Sequence, residues 1–430
     1  MRRPTKKNPN IDAKYIIERS KHNISQDDIS PKAIEVLKRL NGAGFQAYLV
    51  GGGVRDLLIR KAPKDFDIAT DATPNQIKKL FRNARIIGRR FKLVHILYHR
   101  EIIEVATFRG PGNPKKGLRK NENGMLVCDN VYGSLEEDAW RRDLTINSLY
   151  YSIKDASIID YTGGFADIEN KKISIIGDAK TRYIEDPVRM LRALRFSAKM
   201  NFAMAASAAN PITEMSHLIK EVPSSRLFEE IVKLFHCGAA ETVIKLLFDY
   251  GFFAHLFNST YEQINSSYPV KSFITIALQN TDRRIQDGKP VTPAFLFAAL
   301  LWFPVLTEAE KFRKNGIEPL PALDKAMSAV IAAQAKTISI PKRFTQVMRE
   351  IWLLQHRLIN RSGSRAFRLL QHQRFRAAYD FLAIRALAGD ADMQLADWWT
   401  QFQDASEDEK KAMVKKVTPK TKKSKKRTVK

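Results

Sequence analysis

Asp65 and Asp67 stand two residues apart in the run DFDIAT, and three consecutive glycines, Gly51 to Gly53, lie just upstream behind the apolar run FQAYLV. Strand side chains alternate faces, so carboxylates spaced by two project together from one side. Held that close they repel unless a cation sits between them, and the pairing implies bound Mg²⁺. The glycines carry no side chains, so the backbone N–H groups of Gly52 and Gly53 can come up against a phosphate. A helix beginning near Val54 would aim its positive end at the same anion. A nucleoside triphosphate with its metal fits both features. Each is weak alone, since most glycine turns are only turns and exposed acidic pairs are common; their joint occurrence on strand, turn, helix and strand carries the reading. The sequence contains neither G-x-x-x-x-G-K-[ST] nor G-x-G-x-x-G, which excludes a Walker-type NTPase and a dinucleotide fold.

Two further stretches add acids and guanidinium groups. In RRDLTIN (Arg141 to Asn147), a helical reading puts Asp143 and Asn147 on one face at i, i+4, with Arg142 beside them to meet ribose or phosphate. Two further acids, Asp143 and Glu104, could join the pair; the latter lies in EIIEVATF, a strand expected to neighbour the DFD strand. In IEDPVRMLRALRF, Asp186 before Pro187 reads as a helix N-cap, and Arg189, Arg192 and Arg195 recur every three residues. A carboxylate accepts from an exocyclic amine and a guanidinium donates to a ring nitrogen, so an Asp186/Arg189 pair would admit adenine or cytosine and reject uracil and guanine. That pair cannot separate A from C. His95 and His99 show no ligand spacing and read as structural.

The elements that must position these residues form a mixed α+β region followed by helices. Ser30-Pro31 opens a helix ending near Asn41 to Gly44, Thr73-Pro74 opens another, and FKLVHILYH reads as a strand. Pro111 to Asn123 reads as a mobile surface loop. After Glu185 the spacing turns helical. The expected organisation is a basic leader (1–29), a catalytic head (30–175), a helical neck (176–250), a helical RNA-binding body (251–405) and a disordered basic tail (406–430), whose last twenty residues hold nine lysines, one arginine and no acid. Over 430 residues the formal charge is +26 and the pI about 9.9, which calls for a polyanionic partner. AFLFAALLWF (Ala294 to Phe303) is about half the length that spans a bilayer and is expected to stop at Pro304, as a buried helix. With only Cys128 and Cys237, and no CxxC or HExxH, a reducing cytoplasm is the expected compartment.

Taken together, LVGGGVRD…DFDIAT, RRDLTIN and EDPVRMLRALRF resemble the class II nucleotidyltransferases of the polymerase-β superfamily, which contain CCA-adding enzymes and bacterial poly(A) polymerases. TPAFLFAALLWFP, ISIPKRF, FRAAYDFLAIRAL, the stretch IIGRRFKLVHI and the basic tail look like the poly(A) polymerase branch. The resemblance implies a polymerase-β-like head with an all-helical neck and body. It implies template-independent addition of AMP from ATP to RNA 3′ ends, in polyadenylation that promotes RNA decay. Asp65 and Asp67 would hold Mg²⁺, with Asp143 completing the catalytic set. Gly52, Gly53, Arg55, Arg142, Asn147, Asp186, Arg189 and Arg192 would bind the nucleotide. RNA chaperones or RNA-decay proteins are implied partners of a monomer with no membrane association. A CCA-adding enzyme is the alternative, and a non-catalytic RNA-binding protein on the same scaffold would have no use for a paired metal site.

Overall fold

A computed structural model describes residues 12, 15–88, 92–99, 101–110, 118–120, 126–129, 131–264 and 268–418. Two compact units divide the chain, Met1–Glu221 and Val222–Lys430.

The first unit runs β1 (Ile16–Ile17), α1 (Pro31–Gly42), β2 (Ala47–Val50), α2 (Gly52–Leu58), β3 (Asp67–Thr70), α3 (Pro74–Leu80), β4 (Ala84–Ile87), β5 (Leu93–Tyr98), β6 (Glu101–Thr107), β7 (Leu118–Lys120), β8 (Leu126–Asp129), α4 (Leu135–Arg141), β9 (Leu149–Tyr151), β10 (Ile158–Asp160), α5 (Gly164–Glu169), β11 (Lys172–Ile173), α6 (Ala179–Glu185), α7 (Val188–Met200), β12 (Ala203–Met204) and α8 (Ala206–Met215). One eight-stranded sheet has the order β1-β10-β9-β2-β3-β6-β5-β4. Its neighbours are antiparallel except β3 and β6, which are parallel. Helix α1 starts where expected, with the Ser30 hydroxyl accepting from the Lys32 N–H at 3.2 Å. It buries Ala33, Val36, Leu37 and Leu40, one stripe at helical spacing, and packs on β2 and β3, where Leu49 and Ile68 are also buried. Each such aliphatic side chain contributes about 1.5–3 kcal/mol by leaving water. At α3 the Thr73 N–H donates to Gln76 Oε1 at 2.8 Å.

Three expectations change here. The leader takes part in the sheet: Ile16 pairs with Ile159, Ile17 pairs with Ile158, and the Gln26 side chain donates to the Ile153 carbonyl at 3.0 Å. The helical neck starts inside the first unit, which extends to Glu221, because α6 and α8 pack together and β11 pairs with β12 across α7. Most of the loop 111–123 lies outside the described residues, although Leu118–Lys120 within it is a strand paired with β8; Arg89, Arg90 and Phe91 of IIGRRFKLVHI also lie outside.

The second unit is helical: α9 (Ser224–Phe235), α10 (Ala240–Asp249), α11 (Phe252–Leu256), α12 (Asn258–Ile264), α13 (Tyr268–Gln286), α14 (Pro293–Lys314), α15 (Pro319–Ala335), α16 (Lys342–Leu358), α17 (Ser364–Leu370), α18 (Phe375–Leu387), α19 (Met393–Asp404) and α20 (Glu407–Val417). Helix α14 does not stop at Pro304. A proline removes the donor that would serve the carbonyl four residues back, here that of Leu300. The fully buried Thr260 hydroxyl of α12 replaces it, donating to the Leu300 carbonyl at 2.7 Å. At 22 residues α14 is long and apolar enough to cross a membrane, but it is mostly buried against α12, α13, α15 and α16 and serves as a core helix. The tail also departs from expectation. Residues 407–417 are helical because Ser406 and Glu409 form a capping box, acids fill the first turn and lysines the last, and Val414 is buried in a cluster around Trp399 and Phe402. Residues 419–430 lie outside the described residues.

Candidate functional site

The site grows from the register of three strands. Val50, the last residue of β2, is opposite Asp67, the first of β3; on the other side of β3, Asp67 is in parallel register with Glu104 of β6. Partners in register project to the same face, so the sheet sets the Asp67 and Glu104 carboxylates side by side. Asp65 is exposed and precedes β3 rather than lying on it. Burial, and then the neighbouring Glu104 carboxylate, push the Asp67 carboxyl up to about 6; Arg142 opposes the rise and Asp65 adds to it. Glu104 Oε1 lies 3.1 Å from His95 Nε2 across the β5–β6 pair, which gives His95 its structural partner.

Immediately after β2, Gly51 adopts φ +72°, a conformation that favours glycine. Helix α2 follows at Gly52, two residues earlier than expected. A side chain on Gly51 would meet Arg142 Nη1, and one on Gly53 would contact the Asp65 carbonyl, so the turn lies against both. Arg55 is buried. Its Nε and Nη2 donate to Asp56 Oδ1 at 2.9 and 2.7 Å, its Nη1 donates to Asn147 Oδ1 at 2.5 Å, and it stacks on Phe196. Arg55 and Asn147 thus brace α2 against the 3₁₀ turn Thr145–Asn147.

RRDLTIN is not a continuous helix. Helix α4 ends at Arg141, and Asp143 lies in the turn before Thr145–Asn147, so Asp143 and Asn147 do not share a helical face. Arg142 donates through Nε to the Tyr150 hydroxyl at 2.9 Å and through Nη2 to Asp138 Oδ2 at 3.0 Å, while Tyr150 also donates to Asp138 at 2.6 Å. Although burial opposes it, Tyr150 and Asp138 raise the Arg142 guanidinium above its ordinary range, fixing it as a cation. Both Asp143 oxygens have donors: the Leu144 N–H at 2.8 Å, and Arg192 Nε in a short ion pair. Burial would raise the Asp143 carboxyl, but Arg192 outweighs it and holds the group at about 2.

Asp186 is the C-cap of α6 rather than the N-cap of α7, which is Pro187; its Oδ1 still accepts from the Val188 N–H at 3.3 Å. Arg189 is buried; its Nη1 donates to the Arg182 carbonyl at 2.8 Å and to Glu185 Oε2 at 3.0 Å. Its Nε and Nη2 have no hydrogen-bond acceptor among the described residues. Arg182 donates to the Arg141 and Arg142 carbonyls and pairs with Glu185. Burial and the surrounding guanidiniums of Arg109, Arg182 and Arg189 pull Arg141 down to about 10. Sequence reasoning missed Asp138, Tyr150, Arg182 and Glu185. Asp138 was visible as the i−4 partner of Arg142 on α4, whereas Tyr150 reaches the pair only through the fold.

The donor set suits a divalent cation. Mg²⁺ is commonly bound by one or two carboxylates plus waters and substrate phosphates. Asp67 with Glu104 and Asp65 offers that, next to a glycine turn where phosphates can approach. Among the described residues no group of three His, Cys, Asp or Glu side chains is placed to hold a metal ion by itself.

A sheet that sets paired carboxylates beside a glycine turn, joined to guanidinium-rich helices, defines a nucleotidyltransferase of the kind that extends RNA without a template. Solved structures share this fold: that of the Bacillus stearothermophilus CCA-adding enzyme in complex with CTP superposes with a TM-score of 0.59 at 23% identity, covering 88% of this chain and 82% of that one. Residues 47–174 match the "Poly A polymerase head domain", residues 201–263 the "Probable RNA and SrmB- binding site of polymerase A", and residues 315–430 the "Polymerase A arginine-rich C-terminus". Poly(A) polymerase I of Escherichia coli O6:H1 is 48% identical over 408 residues, 93% of this chain and 88% of that protein. The Haemophilus influenzae Poly(A) polymerase I is 41% identical over 423 residues, 95% and 93% of the two chains. A Bacillus pumilus CCA-adding enzyme is 39% identical over only 215 residues, half of this chain and 52% of its own. The chain belongs to the poly(A) polymerase I family and is a polynucleotide adenylyltransferase. The CCA-adding alternative describes more distant relatives.

Proposed function

We propose that this enzyme adds AMP from ATP to RNA 3′ ends with Asp65, Asp67 and Glu104 as its metal-binding carboxylates. The parallel register of Asp67 with Glu104 carries this reading. When bound, Mg²⁺ would supply a lowered pKa at the RNA 3′-hydroxyl and charge neutralisation on the triphosphate. Asp67, raised to about 6 by burial and then by the Glu104 carboxylate, would have its negative charge balanced by a cation. Gly52 and Gly53 present first-turn N–H groups to the triphosphate, and Arg142, locked by Asp138 and Tyr150, faces the same turn. Asp143 orients Arg192 on the base side of the nucleotide rather than completing the metal set, because both its oxygens already have donors. Arg55 and Asn147 hold the glycine helix in place instead of touching the nucleotide. Arg189, backed by Glu185, offers its remaining N–H groups to a ring nitrogen, with Asp186 accepting from the amine.

Incubating the protein with Mg²⁺, an RNA primer and each NTP separately tests the reading. Long, heterogeneous A-tracts from ATP with little CTP use are expected. Addition of one to three nucleotides that requires CTP and a tRNA acceptor end would overturn it. The same reading extends to a cytoplasmic monomer that meets RNA chaperones or RNA-decay proteins, supported by the paucity of cysteine and the basic charge.

A further inference from the structure

Where α16 gives way to α17, Arg357, Arg365 and Arg368 line an open cavity of about 290 Å³, together with His356, Asn360 and Leu369. Arg357 occupies the last turn of α16, and Arg365 and Arg368 lie three apart on α17, on one face. All three are exposed, and among the described residues none has an ion-pair partner. Four other arginines of this unit are ion-paired: Arg349 with Asp324, Arg374 with Glu350, Arg376 with Asp380 and Arg385 with Asp390. Arg361, between α16 and α17, lies over the Trp398 ring instead. The cavity therefore gathers three guanidiniums without an acidic partner in one concavity. Three guanidiniums facing one concavity repel one another unless an anion joins them, and their planar forks match phosphate oxygens.

A second observation points the same way. The Gly363 N–H donates to Thr418 Oγ1 at 3.4 Å, which seats the end of α20 at the α16–α17 turn. The sequence that follows, 419–430, carries six lysines, one arginine and no acid. The cavity thus lies close to the origin of the most basic segment of the chain.

We propose that this cavity is a binding site for backbone phosphates of single-stranded RNA. The inference rests on the reading of the chain as an RNA-adenylating enzyme. The three arginines take phosphate oxygens, while His356 and Asn360 are placed to meet ribose hydroxyls, contacts that position a strand without reading its sequence. The site holds RNA of any sequence, and its strength depends on salt.

The test uses the full chain and a labelled oligo(A) of about twenty nucleotides, titrated over a range of salt with Arg357, Arg365 and Arg368 all changed to Gln. At about 0.7 in slope per single-strand phosphate, the log affinity against log salt plot should flatten by roughly two units, with affinity about tenfold or more weaker at low salt. Changing the same three residues to Lys should keep most of the slope. Thermal melting of both variants should match the parent, since the side chains are exposed. Unchanged slopes in the Gln variant overturn the proposal, as does a Lys variant that loses as much as the Gln variant. Loss of binding to an acidic peptide with oligo(A) affinity intact also overturns it, assigning the cavity to a protein partner. A parent chain that binds oligo(A) but adds no AMP would instead refute the enzymatic reading.

Discussion

Asp143 and Arg192 form an ion pair across 49 residues of sequence, Arg192 donating through Nε to Asp143 Oδ2. The bond ties the turn after α4 to the middle of α7 and occupies a carboxylate that sequence reasoning had placed in the catalytic set.

This pairing separates two acids by experiment. Asp143→Asn should lower stability by about 1–3 kcal/mol, because it leaves a half-buried guanidinium without its charge partner. Glu104→Gln should leave the metal-free fold at least as stable, because it removes the repulsion on Asp67, and reduce AMP addition by about a hundredfold or more, with the Mg²⁺ dependence shifted to higher concentration. Melting curves and Mg²⁺ titrations of turnover decide. If Glu104→Gln retains near-normal activity, Asp143 returns as the third catalytic carboxylate.

Asp67→Asn should abolish activity by several orders of magnitude and yet stabilise the metal-free fold near neutral pH. The Asp67 carboxyl has an ordinary value of 3.8 and is held at about 6 in the fold. Between those values the folded state binds more protons than the unfolded one, so the group's contribution to stability falls as pH rises through that window. The loss is complete above about 6 and amounts to roughly 1–3 kcal/mol. Melting in EDTA should show the Asn variant more stable than the parent at pH 7.5, with the gap closing towards pH 4. A variant less stable at every pH would contradict the repulsion between Asp67 and Glu104.

Arg189→Ala should blunt nucleotide choice. A base-reading donor contributes about 1–3 kcal/mol of selectivity, roughly ten- to a hundredfold. The ATP:UTP ratio of kcat/KM should fall accordingly, and Glu185→Gln should move it in the same direction by loosening Arg189. Turnover that falls with the ratio intact would make Arg189 a scaffold residue.

Thr260→Val should cost about 1–3 kcal/mol by stranding the Leu300 carbonyl in the core. In a Pro304→Ala background, where the helix regains its own donor, the same change should cost less than about 1 kcal/mol. Additive costs in that double-mutant cycle would show that the hydroxyl does not substitute for the missing N–H.

Features carried by neighbours in sequence were legible. The Ser30-Pro31 and Thr73-Pro74 helix starts, the glycine turn and the β3 and β6 strands all follow from local chemistry. Expectations failed where the deciding partner lay far along the chain. Pro304 ends a helix unless a hydroxyl from another helix serves Leu300, and no local pattern announces Thr260. The helical reading of Asp143 could not include Arg192. The Asp67–Glu104 register follows from a parallel pairing that spacing alone does not fix. Helix α20 was different: the Ser406/Glu409 capping box was in plain view, but the lysine-rich composition beyond it obscured the signal.

Strand β1 is synthesised well before its partner, and Ile16 must wait for Ile159 before it can pair. At about 5–20 residues per second that interval is on the order of 10 s. Until it ends, the unpaired backbone groups of β1 are open to any strand nearby, the usual route to misassembly, and β10 when it emerges brings an outer edge that β1 must cover. Two isoleucines then close that edge with a strand too short to recruit another copy. The leader therefore acts as a seal on the sheet, made before β10 and fitted only once β10 arrives.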